Sequence, residues 1–574
     1  MRLTTVKIRN FRGIQCLDLR LERDVTVLIG ENNSGKTSIL EAMRIGLDTI
    51  KSEKIVKFTE YDFYRAQDIT TLSKCEPIKI VFLFEETTEH MWSEQITQLL
   101  NDVIVGDEFQ IIKMSITGYF DSEDSTIKQT VSFLDNNDNE MSGKQGFIKE
   151  LKKLRPFFYQ SALRAAKDEF QVSGSFWSSF LKDKSVNPDT RHELENSLDI
   201  INRQVVDAHK SFKDVTNEVQ NLNRLVSIGK ANSVSVDPRP ADFFQTIRSA
   251  EVNLLTASDA KIPIRSHGEG TQSLSVLLLF SAYLKTRLKA DVDRLAEPII
   301  AIEEPESHLH PNAIRALWPI LCDLPGQKII ATHSGDILSE IPIKNLRRLN
   351  KKDAGCECCE LPTTCLTPEE NRKFNHHVRR NRGELLFARQ WLLVEGETDV
   401  SVFTECADLL EIDLNSHGIR IVEYSQAGGA GIFIKVADAL NICWYLVADN
   451  DDGGLKYVES VQELLNTRDQ QNYISILEHD NTDILLCYSG YGTPYQTGIG
   501  WQKRSDLTEP ENSIAYWKQV YKIVNKTRGF SKPAAALEAL MLMRNKGKEG
   551  VPIEIKNILQ KIISKTEVST NDPA

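Results

Sequence analysis

Several short stretches of the chain are mostly apolar without strict alternation, and each gives way to glycine, polar or charged residues. They are Val25–Ile29, Ile299–Ile302, the "KIIAT" segment that ends at Thr332, Trp391–Val394, the strand within "HGIRIVEY", and the "CWYLVA" segment that ends at Ala448. Val/Ile/Leu-rich runs of this length predict strands buried on both faces, as in parallel sheets covered by helices. Segments with helical apolar spacing follow, as after Lys36, before Glu303 and after "SQAGGAG". The pattern therefore predicts α/β architecture in both halves of the chain. A different periodicity lies between. Leu194, Leu198, Ile201, Val205, Ala208, Phe212, Val215, Val219 and Leu222 alternate steps of four and three. That spacing predicts either a dimerising heptad seam or an amphipathic hairpin that packs on its own domain. Pro188 suits its beginning and Gly229 its end.

At 574 residues the chain exceeds what one core supports, since single cores stop growing at roughly 250–300 residues. A hydrophobic content of 41% and a charged content of 26% are those of a soluble globular protein. The net charge of −12 argues against a cationic coat for nucleic acid but leaves room for a local basic groove. The longest apolar stretch, Leu274–Leu284, is too short to span a bilayer, and Lys285 ends it. "MRLTTVKIRNFRGI" lacks the apolar region of a signal peptide. With ten cysteines scattered unevenly, a cytoplasmic protein with reduced thiols and no membrane contact is expected.

Chemistry enters first at "VTVLIGENNSGKTSIL". A strand runs into Gly30, and Gly30, Gly35, Lys36 and Thr37 satisfy the G-x-x-x-x-G-K-[ST] pattern ahead of a helix. Glycines let backbone amides approach phosphates, and the helix N-terminus adds positive potential. The loop from Gly30 through Asn32, Asn33 and Ser34 to Ser38 is thus expected to bind ATP. Lys36 would reach the β/γ-phosphates, and Thr37 would ligate Mg²⁺. In "EPIIAIEEPESHLHP" an apolar strand ends in Glu303 and Glu304. Glu303 is placed to hold Mg²⁺ through water, and Glu304 to activate the attacking water. "IIATHS" places His333 at another strand end, either as a γ-phosphate sensor or as a helix-capping neighbour. Nearly half the chain separates Lys36 from Glu304, so the domain carries a large insertion. Before Glu303, "RSHGEGTQSLSV" offers Ser266, Gly268, Gly270 and Gln272 either to a nucleotide on another subunit or simply to a turn.

These pieces, in this order, resemble the ATP-binding-cassette heads of structural-maintenance-of-chromosomes and recombination-repair ATPases. The resemblance covers about residues 1–345 and rests on "IRNFRGI", the P-loop, "IIAIEEPESHLHP" and "IIATHS". The signature loop departs from that family, lacking its leucine-serine-glycine-glycine run. The resemblance implies two heads that sandwich ATP, hence a homodimer or dimer of dimers.

The stretch that follows is basic and cysteine-rich. Cys356, Cys358, Cys359 and Cys365 lie close together, with His376 and His377 nearby. A zinc site and a ligand-free loop are both open, because C-x-C-C-x5-C is not a pair of C-x-x-C knuckles. Thr367, Pro368 and Glu370 predict a helix start with a capping box. "NRKFNHHVRRNRG" is either a phosphate contact or a solvated helix face.

In the last third two buried strands end in acids. "WLLVEGETD" delivers Glu395 and Asp399, and "CWYLVADNDDGG" delivers Asp449 and Asp451. Parallel sheets place ligands beyond the carboxyl ends of their strands. Converging carboxylates repel one another and call for a hard cation, Mg²⁺ or Mn²⁺. A single such acid would be read as a helix cap; the pair of motifs points to metal. Asp452 reads as a turn residue beside Gly453 and Gly454.

Glu395–Gly396 with Asp449-x-Asp451 resembles the Toprim fold of topoisomerases, primases and several nucleases. A head ATPase followed by such a domain resembles the overcoming-lysogenization-defect (OLD) family of nucleases, which includes the nuclease subunit of Gabija-type antiphage systems. "LLFARQWLLVEGETD" is similar to that family's junction. The resemblance implies a metal-dependent DNA endonuclease with two divalent ions, controlled by nucleotide. It adds Asp399 and Asp483 (rival Glu478) as metal residues and Lys532 (rivals Lys526 and Lys546) as the cation that offsets phosphate charge. It also implies antiphage defence, with a helicase or reverse transcriptase as a system partner. The expected fold class is α/β: an ABC-type ATPase head with a helical dimerisation insertion, followed by a C-terminal Toprim domain. The expected boundaries are 1–165 and 241–345 for the head, 166–240 for the insertion, 346–388 for a linker and 389–574 for Toprim. A repair or structural ATPase whose Toprim-like domain binds DNA without cutting it is the alternative. No strand-passage tyrosine domain or primase zinc domain is evident.

Overall fold

The computed structural model describes residues 1–47, 57–66, 71–88, 91–106, 109–160, 234–237, 251–255, 259–286, 292–352, 355–381, 383–465, 468–499, 506–527 and 530–571, with single positions between. The expected insertion and its heptad seam lie outside the described residues, apart from isolated positions such as Ala208 and Val215 and the strand Val234–Asp237, which pairs antiparallel with Glu251–Leu255. The chain forms two compact units. The first is Met1–Ile341 with Asn345–Cys358, and the second is Pro342–Lys344 with Cys359–Ala574.

Among the described residues the first unit holds two six-stranded sheets and a small antiparallel one of Lys261–Pro263, Glu251–Leu255 and Val234–Asp237. The P-loop strand Val25–Gly30 sits inside a six-stranded sheet between Gln327–Ala331 and Leu346–Lys352. Ile299–Glu303 and then Phe157–Gln160 extend it on one side, and Gly355–Glu360 closes the other. The pairings of Val25–Gly30, Gln327–Ala331, Ile299–Glu303 and Phe157–Gln160 with their neighbours are parallel. Their continuous apolar runs are explained by this burial on both faces. The second sheet is an antiparallel meander of Ile14–Arg20, Arg2–Phe11, Ile78–Glu85, Ile111–Asp121, Thr126–Leu134 and Glu140–Met141. It alternates buried and exposed residues along Arg2–Phe11 and Ile14–Arg20, as a half-buried sheet must. The helix Lys36–Leu47 contributes Leu40 and Met43 to a core that unites Ile8, Phe82 and Ile116 of the meander with Leu28 and Ile329 of the parallel sheet. Gly46 allows the close approach. A Cβ there would lie 2.3 Å from the Phe82 ring.

The second unit carries a wholly parallel four-stranded sheet, ordered Ile419–Glu423, Gln390–Val394, Cys443–Ala448, Ile474–Ile476. Its first strand in sequence lies between the second and the third. The chain therefore winds one way from Gln390–Val394 and the other way from Cys443–Ala448, which makes a topological switch point between them. Leu392, Val394, Tyr445 and Val447 pack with Val402 and Phe403 of helix Glu397–Leu409 and with Leu540, Met543 and Leu559 of later helices. The stretch read from sequence as a linker contains the strands Leu346–Lys352 and Gly355–Glu360 and the capped helix Pro368–Arg380. Among the described residues, no helix is long and apolar enough to cross a membrane.

Candidate functional site

In the first unit the P-loop has the conformation its glycines permit. Gly30 and Gly35 have φ of 152° and 102°. A Cβ on Gly30 would stand 2.4 Å from the Leu349 carbonyl oxygen, so only glycine lets the loop run against the neighbouring strand. Lys36 is buried and folds back over the loop, donating to the carbonyls of Gly30 and Glu31 at 2.8 Å each. Burial lowers its pKa to about 8, opposed by the nearby Glu304 and Glu303.

The late acids meet this loop. The Thr37 hydroxyl donates to Glu303, whose other carboxylate oxygen accepts from Tyr159 at 2.8 Å. Glu304 has a left-handed backbone (φ 46°), held by its amide bond to the Ala331 carbonyl at 2.8 Å. Strained backbone of this kind persists where the surroundings over-determine it. His333 Nε2 lies 4.0 Å from Glu304. Burial lowers its pKa, and Lys36 adds to the effect. Ser34 is buried under the loop. Asn32, Asn33 and Ser38 stand in the loop and first helical turn, with Asn33 at φ 64°. Sequence reasoning missed Glu306. It accepts from Thr332 at 2.6 Å and from the His333 amide at 2.9 Å, which ties the two strand-end loops together. It also missed Tyr159, an unremarkable strand residue until parallel pairing sets it beside Glu303.

In the second unit Glu395 and Asp449 leave the two strands that flank the switch point. Glu395 Oε2 is buried and has no hydrogen-bond partner. Burial pushes the Glu395 pKa up to about 7, and Asp451 and Asp399 push in the same direction. Asp449 is driven well above the usual carboxylate range by burial, then by Asp399, Glu395, Asp451 and Asp483. Asp451 uses Oδ1 to accept from the amides of Gly453 and Gly454 at 2.8 and 2.9 Å. It thus caps a helix that begins at Asp452, so Asp452 opens a helix rather than forming the expected turn. Gly454 is required because a Cβ there would lie 2.1 Å from the Asp449 carbonyl oxygen.

The other expected acids are engaged differently. Asp399 accepts from the Gly396 amide at 2.8 Å and from the Thr482 hydroxyl. Asp483 is buried and accepts from the hydroxyls of Tyr495 and, at 3.2 Å, Tyr521. Lys532 donates to Tyr521 at 2.9 Å and lies 4.5 Å from the centre of its ring. Its charge opposes the upward shift that burial imposes on Asp483. The rivals are set elsewhere: Lys546 lies over Tyr491, and the Glu478 amide donates to Glu554. Thr482, Tyr495 and Tyr521 carried no sequence signal beyond their place in "NTDILLCYSGYGTPY" and the helix after it.

The donor set fits a divalent cation. It consists of hard oxygen ligands, it contains an orphaned buried carboxylate oxygen, and burial and neighbouring acids raise the pKa of Glu395 and Asp449, a cost that positive charge would relieve. Among the described residues, no three His, Cys, Asp or Glu side chains are already arranged to hold an ion. The four clustered cysteines form no such group either, and none is in a disulfide. Cys365 donates to the Lys435 carbonyl oxygen at 3.7 Å, and His377 is buried against Phe433.

Residues 1–384 match the family model described as protein of unknown function DUF2813. Residues 386–451 match the Toprim domain described as overcoming lysogenization defect protein-like. The chain is 27% identical over 580 residues to uncharacterized protein YbjD of Escherichia coli K12, covering 98% of this chain and 99% of that one. It is 25% identical to the OLD nuclease of Thermus scotoductus, covering 78% of this chain and 82% of that one. With the Old nuclease of Escherichia phage P2 the identity is 23%, covering 84% and 83%. The α/β architecture expected from the sequence, with a Toprim domain on a parallel sheet in the second unit, is the one the chain has.

Proposed function

Because the chain belongs to the DUF2813 family and carries an OLD-like Toprim domain, we propose that it is a DNA endonuclease dependent on divalent metal, gated by its nucleotide-binding head. The observation that supports the reading is that Glu395 and Asp449 leave the two strands flanking the switch point of a parallel sheet, with Asp451 two residues beyond and Glu395 Oε2 without a hydrogen-bond partner. The similarity to proteins named OLD nuclease supports DNA as the substrate class.

Glu395, Asp449 and Asp451 are the residues that would hold Mg²⁺ or Mn²⁺. Bound there, a divalent cation supplies Lewis-acid stabilisation of phosphate charge and lowers the pKa of water. Asp399 fixes the turn between Glu395 and its helix through the Gly396 amide. Asp483 acts through Tyr521 to seat Lys532, whose ammonium offsets the charge that builds on the attacked phosphate. In the head, the Gly30–Ser38 loop cradles the ATP phosphates, and Lys36 exchanges loop carbonyls for phosphate oxygens. Thr37 and Glu303 are the Mg²⁺ residues, Glu304 orients the attacking water, and His333 reads the γ-phosphate from beside Glu304. The reading extends to a cytoplasmic homodimer or dimer of dimers and to antiphage defence, supported by kinship with OLD nucleases.

Supercoiled plasmid incubated with the full chain and Mg²⁺ or Mn²⁺ tests this. Nicked and linear products are expected, lost on chelation and changed in rate by ATP. Intact plasmid with either metal, with or without ATP, would contradict the reading. A gel shift without cleavage would favour a DNA-binding repair ATPase.

A further inference from the structure

Two polar atoms at the carboxyl edge of the parallel sheet are buried without a hydrogen-bond partner: the hydroxyl of Tyr424 and Oε2 of Glu395. They leave adjacent strands in register. Val394 pairs with Glu423, the Tyr424 amide donates to the Val394 carbonyl at 3.0 Å, and the Ser425 amide donates to the Glu395 carbonyl at 3.3 Å. Tyr424 is wholly buried, and its ring meets Tyr457 edge-on with centroids 5.2 Å apart. An unpaired buried hydroxyl and an unpaired buried carboxylate oxygen are each costly, and native proteins keep few of them. Here one is a donor and the other an acceptor. A tyrosine hydroxyl, protonated at neutral pH, can donate to a carboxylate oxygen.

We propose that Tyr424 is a positioning residue of the nuclease site. Its hydroxyl donates to Glu395 in the working enzyme, directly or through one ordered water, and fixes the orientation in which that carboxylate holds the divalent ion. This rests on the nuclease reading above. Outer hydrogen-bond partners of metal-holding side chains commonly set affinity in this way.

The test is Mn²⁺ binding to the full chain, followed by electron paramagnetic resonance of free Mn²⁺, for the natural protein, Tyr424→Phe and Tyr457→Phe. Thermal unfolding is recorded for each. Without metal, Tyr424→Phe removes an unpaired hydroxyl, so its melting temperature should match or exceed that of the natural protein. Its Mn²⁺ affinity should fall by about tenfold or more, with a parallel rise in the metal concentration needed for cleavage. Tyr457→Phe should bind as the natural protein does. Unchanged affinity in Tyr424→Phe would overturn the proposal, as would an equal loss in Tyr457→Phe. If the natural protein itself neither binds Mn²⁺ nor cleaves, the nuclease reading fails instead.

Discussion

The ammonium of Lys532 donates to the hydroxyl of Tyr521 at 2.9 Å, and that hydroxyl in turn donates to buried Asp483 at 3.2 Å. A flexible lysine at a helix start is thereby given a fixed position. Lys532→Ala should lower plasmid cleavage by about 10²–10³-fold, the usual loss of one group that stabilises transition-state charge. Tyr521→Phe keeps the ring but breaks the relay, and a loss on the order of tenfold is expected. Cleavage rates at saturating Mn²⁺ check both. Equal activity in Lys532→Ala would remove Lys532 from the site.

Thr482 donates its hydroxyl to Asp399, which otherwise relies on the Gly396 amide. Thr482→Val should leave a buried carboxylate oxygen unpaired, at a cost of about 1–3 kcal/mol. The expected readout is a lower urea midpoint for the second unit. Asp399→Ala removes the helix N-terminal bond as well and should destabilise further.

The head is predicted to depend on the backbone at Gly30 as much as on the charge of Lys36. Gly30→Ala sets a methyl group against the Leu349 carbonyl oxygen and should abolish nucleotide binding with a reduced melting temperature. Lys36→Ala should abolish binding with little change in melting temperature, because it removes a buried ammonium together with its bonds. A fluorescent ATP analogue and thermal unfolding separate the two.

His377 supplies a pH dependence. It is buried beside Phe433, and desolvation lowers its pKa to about 4; Arg380 and His376 act in the same direction, against Glu423. The folded protein thus resists protonating it. Its contribution to stability is fully present above the unfolded value of about 6.5 and is lost as the pH falls toward 4. The slope over that window is at most about 1.4 kcal/mol per pH unit. Urea midpoints from pH 7 to pH 4 should fall more steeply for the natural protein than for His377→Gln.

The residues legible in sequence were those that end continuous apolar runs. Glu395, Asp449, Glu303 and His333 drew attention because they end strands buried on both faces, and the two acidic motifs together outweighed the helix-cap reading that any one of them allows. The P-loop was legible because its glycines answer a backbone demand that the structure shows at Leu349. Tyr424, Tyr159 and Thr482 were silent. Each acts through a partner distant in sequence, and only parallel pairing or helix packing brings the two together. Asp452 was misread because two glycines suggested a turn, whereas Asp451 caps a helix that tolerates them. The heptad seam around Leu194–Leu222 lies outside the described residues.

Whether the strand-end carboxylates cut DNA is decided by Mn²⁺-dependent conversion of supercoiled plasmid by the full chain and by Asp449→Ala, with circular dichroism and melting temperature recorded for both. Nicked and linear products are expected from the natural protein and none from a folded Asp449→Ala. Metal-dependent cleavage that persists in folded Asp449→Ala would contradict this expectation.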